Sequence, residues 1–412
     1  MALANDPAFR SGEVGTFIGE REYRDALYGY FPRVQGRIDT DRRYQNIIDS
    51  ANTVFQIGRA EYSVTQGIVE LRQPILDYGR VMRVRKGESM RARAFAEFAN
   101  SRQELILKVS ENYFKALAAM QRVQLVESAQ RAIQDELKVI KARGRSGQVP
   151  RSETKEIEAQ AELAVSELID AQNGLRDRLE ALSELTGSPL TRIGRLTKRF
   201  PLKMPQPADA NAWIAQAVAN NHELQSQQLA IAVAGYRRDE ALGENLPTLE
   251  AKALYDYTDQ QGSQFGGGSK TQDTTVGLRL NVPLFNSEGR GYGYLKENHL
   301  VQQEHLKLEQ LRRKIAREIK DFLNSAEGAS RKYDALTRAV EATKIRYEEL
   351  QAKNRSGEVS SVDVLKAQRD LVRAQRDQFD AIVDYVLAVT RLKSRAGTLS
   401  EQDIQYFSQF CG

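Results

Sequence analysis

Arg145-Ser146-Gly147-Gln148-Val149 is written again as Arg355-Ser356-Gly357-Glu358-Val359, 210 residues further along a chain of 412. The same offset relates Gly79-Arg80 to Gly289-Arg290 and Gly187 to Gly397, and a near one relates Pro74-Ile75-Leu76 to Pro283-Leu284-Phe285. Upstream, Ala2, Ala4, Asn5 and Pro32 correspond to Ala217, Ala219, Asn220 and Pro247 at an offset of 215. Self-similarity at a fixed period marks a repeated architecture, so the chain divides into two copies, 1–210 and 211–400, and a tail at 401–412. The drift of the offset places an insertion in the first copy between Pro32 and Pro74.

The hydrophobic period changes in the same order in each copy. Leu249–Tyr257 and Thr275–Val282 alternate, with Val276, Leu278, Leu280 and Val282 on one side and Gly277, Arg279 and Asn281 on the other, which is strand periodicity. The weaker equivalents in the first copy are Arg33–Asp39 and Tyr62–Arg72. These give hairpins at about 33–73 and 248–283, the second closed by a polar loop, Thr258–Thr274, that contains Gly266-Gly267-Gly268. After each hairpin the period turns helical. Ile315, Ile319, Phe322, Ala326, Ala329 and their successors to Leu350 keep 4-3 spacing, the seam of a coiled coil, and the same seam recurs 210 residues earlier from Leu105 to Ile140. At ~1.5 Å per residue, a helix over 81–143 is roughly 95 Å long. Turns at 144–150 and 354–360 lead into a second helix per copy, and the proline-bearing stretch 188–209 links the copies. In the last helix Val364, Ala367, Leu371, Ala374, Gln378, Ala381, Tyr385, Ala388 and Leu392 form an alanine-rich stripe that lets helix axes approach closely.

Composition removes several function classes. No run of about 18 apolar residues occurs, and mean hydropathy is −0.54, so a helical membrane protein is excluded. The lone Cys411 rules out an internal disulfide framework, and His222, His299 and His305 lack partners at zinc-ligand spacing. A net charge of +5 with acid and base interspersed does not point to nucleic acid. Gly268-Ser269-Lys270-Thr271 lacks the Gly-Lys-Ser/Thr order of a phosphate loop. No nucleophile, base and orienting acid can be assembled from position, so no enzyme and no cofactor are expected.

Strands of about 8 to 11 residues with one apolar and one polar face match those of a membrane barrel, lipid outside and water inside. Four strands cannot close, and open edges are not tolerated in lipid, so a barrel requires several chains to pool strands. Tyr62, Tyr78, Tyr255, Tyr257, Phe285, Tyr292 and Tyr294 cluster near the strand ends as an interfacial girdle would. Alternation over eight residues occurs equally in soluble α+β proteins, so periodicity alone leaves a soluble coiled-coil scaffold open.

At this point the chain resembles the TolC-like outer-membrane efflux and export proteins. The resemblance covers nearly its whole length, and its local signals are Asn281-Val-Pro-Leu-Phe285, Arg355-Ser-Gly-Glu-Val359 followed by Ser361-Val-Asp-Val-Leu365, and Gly397-Thr-Leu-Ser-Glu-Gln-Asp403. It implies a mixed α and β fold: a homotrimer whose twelve strands, four per chain, form one β-barrel in outer-membrane lipid, continued by an α-helical tunnel through the periplasm of a Gram-negative bacterium. It implies as partners a periplasmic adaptor protein and an inner-membrane ABC exporter or proton-driven drug pump, and the ending Gly397–Asp403 tips the balance toward type I protein secretion.

Carried over residue by residue, the resemblance puts an adaptor-docking tip at Arg145, Ser146, Gly147, Val149, Arg355, Ser356, Gly357 and Val359. It puts a periplasmic gate at Asp363, with Glu153 in the corresponding place of the first copy. The second acidic gate position of the family is Lys366 here, and opposite charges at i, i+3 can pair and cancel. Ala2-Leu-Ala-Asn-Asp-Pro7 matches a helix interior with no leader ahead of it, so export requires a leader that was trimmed or an earlier start.

Overall fold

A computed structural model describes residues 1–49, 57–194, 202–262, 267–284 and 292–409. Gly266, Phe285, Gly289, Arg290 and Cys411 lie outside them. The chain runs α1 (Ala2–Asn5), α2 (Pro7–Tyr28), β1 (Arg33–Ile47), β2 (Gly58–Leu76), α3 (Tyr78–Arg145) and α4 (Arg151–Thr186), and then repeats the order. The second pass is α5 (Ala210–Asn220), α6 (His222–Gly243), β3 (Thr248–Gln260), β4 (Ser269–Asn281), α7 (Tyr292–Arg355) and α8 (Ser361–Arg395), followed by α9 (Glu401–Ser408).

The two copies start and stop by the same chemistry. A helix leaves its first amides unpaired. Asp6 Oδ1 accepts the Phe9 amide at 2.8 Å, and Asn221 Oδ1, 215 positions later, accepts the Leu224 amide at 2.9 Å. The side-chain amide of Asn5 donates to the Thr186 carbonyl at 2.8 Å, and that of Asn221 to the Arg395 carbonyl at 2.9 Å. The end of α1, just ahead of α2, is thus tied to the end of α4, and the beginning of α6 to the end of α8. Gly187 (φ 66°) and Gly397 (φ 73°) end those helices in the left-handed region.

Two compact units result: Met1–Gly15 with Phe95–Ser226 and Leu308–Gly412, and Thr16–Ala94 with Gln227–Lys307. The second contains a four-stranded antiparallel sheet in the order β1-β2-β3-β4. Its register places Val34, Leu71, Ala253 and Val276 in one row across all four strands, with Leu76, Leu249 and Leu280 in another on the same face. The opposite face carries Arg33, Arg72, Lys252 and Gly277 in one row and Gln35, Glu70, Leu254 and Thr275 in the next. On that polar face Arg72 pairs with Glu70 at 2.7 Å and Arg279 with Glu250 at 3.1 Å. Because side chains alternate with period 2, this register alone makes the sheet amphipathic. Val276, Leu278 and Leu280 stand exposed on the apolar face, a contiguous apolar surface that calls for a nonaqueous neighbour.

The strands are longer than the alternation suggested. β1 and β2 pair from Arg33–Arg72 out to Ile47–Gly58, through polar residues that carry no period-2 signal. β4 begins at Ser269, inside the stretch expected as loop, and stops before Val282. Tyr255 lies in mid-strand beside Val69, away from any strand end. Pro74 is tolerated in β2 because it falls past the last β1 partner, at a register shift.

The helical unit follows the expected seams most closely in α8, where Val364, Ala367, Ala374, Ala381, Tyr385, Ala388 and Leu392 are all buried. In α3 a further buried stripe, Ser110, Phe114 and Leu117, accompanies the seam. Phe114 meets Phe407 of α9 edge-on at 6.0 Å within a cluster that also holds Ala326, Val386 and Val389.

Candidate functional site

The helical hairpin turns repeat the same backbone hydrogen-bond pattern. After α3 the Gln148 amide donates to the Arg143 carbonyl at 3.0 Å and the Gly147 amide to Gly144 at 3.2 Å. After α7 the Glu358 amide donates to Lys353 at 3.0 Å and the Gly357 amide to Asn354 at 3.1 Å. Ser146 and Ser356 each donate to the carbonyl three residues back, at 2.9 Å in both cases. This pairing needs a left-handed residue, and Gly147 (φ 74°) and Gly357 (φ 81°) supply it without steric cost.

Arg145, Ser146, Gly147, Arg355, Ser356 and Gly357 are exposed, whereas Val149 and Val359 are half-buried. Val149 packs on a cluster formed by Ile133, Ile140, Ile157, Ala161, Ala164 and Leu365, which joins α3, α4 and α8. Asn354 gives the second turn a contact that the first lacks among the described residues. Buried, it donates to the Val359 carbonyl at 2.9 Å and the Ser361 hydroxyl at 3.1 Å, while the matching position in the first turn is Gly144.

The structure brings the candidate gate residues to the start of α8. Ser360 caps that helix, accepting the Asp363 amide at 3.2 Å, and its hydroxyl donates to Asp363 Oδ2 at 2.9 Å. Asp363 lies 3.7 Å from Lys366, and both side chains are about half exposed, at 48% and 57%. Glu153, in the first turn of α4, accepts the Ser361 amide at 3.2 Å, and Glu136 of α3 bonds the Ser361 hydroxyl. Three carboxylates therefore surround one helix N-terminus, where the helix dipole favours negative charge. Pro150 stands just ahead of α4 as its N-cap, with Glu153 in the turn that follows. Glu136 and Asn354 give no signal in the sequence, since a single Glu or Asn on a charged helix carries no pattern. The Ser360-x-x-Asp363 capping motif is legible there.

Further along α8, burial raises the Asp380 carboxyl above the usual aspartate range, with Asp384 and Asp377 adding to the rise and Arg376 opposing it. A raised acid contributes stability below its unfolded pKa and loses it as pH rises through the folded value. Asp380→Asn is therefore expected to raise the Tm of the assembled protein at pH 7, with the gain shrinking toward pH 4. Thermal scans at the two pH values check this, and a gain that grows on acidification would contradict the assignment.

Among the described residues no group of three or more His, Cys, Asp or Glu side chains is placed to hold a metal ion, and no helix is long and apolar enough to cross a membrane. The remaining features are the amphipathic sheet, the long helices and the paired turns. Over residues 1–188 and 213–398 the sequence matches the family model for outer membrane efflux proteins.

The chain belongs to the outer membrane efflux protein family.

It is 26% identical over 410 residues to the alkaline protease secretion protein AprF of Pseudomonas aeruginosa, covering 98% of this chain and 84% of that protein. It is 23% identical over 408 residues to the proteases secretion protein PrtF of Dickeya chrysanthemi, covering 98% and 88%. Its fold matches the crystal structure of the Campylobacter jejuni CmeC outer membrane channel with a TM-score of 0.83 at 16% identity, over 99% of this chain and 87% of that one. This efflux-family chain is thus an outer-membrane channel protein. TolC-family channels are trimeric and work with adaptors and inner-membrane pumps.

Proposed function

We propose that this chain is the exit duct of a type I secretion system, receiving polypeptide from an ABC exporter through a periplasmic adaptor. The observation that carries the duct is the four-stranded sheet, apolar on one face and ion-paired on the other. Lipid cannot satisfy unpaired strand edges, so three chains join β1 to β4 in a closed barrel of twelve strands. Protein cargo is supported by the relatives named for protease secretion, each matched over 98% of this chain. The duct is built as a tandem duplication with copies at 1–210 and 211–400 and a tail at 401–412.

In this reading the exposed turn residues Arg145, Ser146, Gly147, Arg355, Ser356 and Gly357 meet the adaptor, while Val149 and Val359 hold the turns in shape. Glu153, Asp363 and Lys366 form the periplasmic gate. The Glu153 contact to the Ser361 amide links α4 to α8, so cutting it loosens the closed end. Glu153→Ala is expected to raise single-channel conductance in planar bilayers severalfold, and an unchanged conductance would remove Glu153 from the gate.

The cargo assignment is tested in a strain lacking its own outer-membrane duct but holding a protease-type ABC exporter and its adaptor. Secreted protein in the medium is expected to return with this chain. Restored drug resistance without secretion would instead make the cargo small molecules.

A further inference from the structure

A groove of about 420 Å³ between α3, α4 and α8 lies beside the cluster on which Val149 packs and shares Ile133 and Ala164 with it. It is lined by Leu125, Leu163 and Val372 and by Arg122, Arg369, Arg373 and Arg376, against a single carboxylate, Glu167. Arg122 and Arg369 have no ion-pair or hydrogen-bond partner among the described residues. Arg373 is 77% exposed and only 3.9 Å from Asp377, which Arg376 already holds at 2.8 Å. The groove therefore keeps a surplus of positive charge.

Its spacing selects the form of the anion. Arg369, Arg373 and Arg376 are related as i, i+4 and i+7, so they share one face of α8, and the first two rise ~6 Å apart along the axis. Same-side residues of an extended polypeptide are ~6.6 Å apart, so acidic side chains two residues apart meet successive guanidinium groups, each able to bind a carboxylate in bidentate fashion. The leucine and valine side chains give the aliphatic part of such a segment apolar contact that a small inorganic anion could not use.

We propose that this groove binds extended acidic segments of the exported polypeptide, so that the duct favours anionic cargo; this rests on the export reading above. The test is block of the purified trimer in planar bilayers by poly-L-glutamate. We expect block in 50 mM salt that is lost at 1 M, where the screening length falls to about 3 Å. Arg122→Gln/Arg369→Gln/Arg373→Gln should raise the half-blocking concentration at least tenfold, and the corresponding triple lysine variant by less. If the triple glutamine variant forms no heat-resistant trimer, Arg369→Gln alone, at an exposed position, carries the test with an expected rise of about threefold. Equal block of parent and glutamine variants overturns the proposal, as does monomeric glutamate acting as strongly as the polymer at equal carboxylate concentration. A parent trimer that conducts no current overturns the duct reading itself, and the groove assignment with it.

Discussion

Gly357→Val is expected to cut adaptor-dependent export at least tenfold while leaving the trimer intact. Gly357 sits at φ 81°, and a Cβ placed there would meet nothing within 4 Å. The cost is therefore conformational: a left-handed backbone costs an ordinary L-residue roughly 1–2 kcal/mol, more when the side chain is β-branched. That is enough to reshape a turn closed by the Glu358 and Gly357 amides, yet small beside the cooperative packing of the helices. Gly147→Val, at φ 74° and with equally open surroundings, should behave alike. Asn tolerates this region, so Gly357→Asn should restore most export, which separates lost turn geometry from lost flexibility. Secretion assays and heat-resistant trimer on gels check both halves, and full export by the valine variant would remove Gly357 from the docking tip.

Gly397→Ala should have the larger effect on assembly. Its φ of 73° is unfavourable for alanine, and the added Cβ would run into the Asn220 carbonyl oxygen and lie 2.8 Å from the Asn221 amide nitrogen. Both neighbours are backbone, so no rotamer change relieves the contact. Left-handed strain of roughly 1–2 kcal/mol and overpacking of about 1–3 kcal/mol act at the junction where Asn221 ties the start of α6 to the end of α8. We expect trimer yield in the outer-membrane fraction to fall severalfold. Gly328 lies in α7, and a Cβ added to it would meet nothing within 4 Å, so Gly328→Ala should leave yield unchanged or slightly raised. Equal yields for the two variants would refute the close-packed junction.

How far the fold could be read from the sequence follows from where a period exists. The α8 stripe was legible because one face of that helix is buried along nearly its whole length, from Val364 to Leu392. The seam of α7 was less so: Leu323 is buried where Phe322 was expected, although Ala326 and Ala329 are buried at their seam positions. The outer parts of β1 and β2 were invisible, because their residues, largely polar from Asp39 onward, carry no period-2 alternation. The turns were legible through the repeated Arg-Ser-Gly, whose glycines both adopt positive φ. What the letters could not convey is convergence: Glu136 and Glu153 reach Ser361 across more than 200 residues of chain, a relation that exists only after the helices pack.

The most direct measurement is the mass and solubility of the purified full-length protein. Extraction from the outer-membrane fraction only with detergent, as a trimer that survives in SDS until heated, is the result expected of a chain that supplies four strands to a shared barrel. A monomer that stays in aqueous solution without detergent would contradict it.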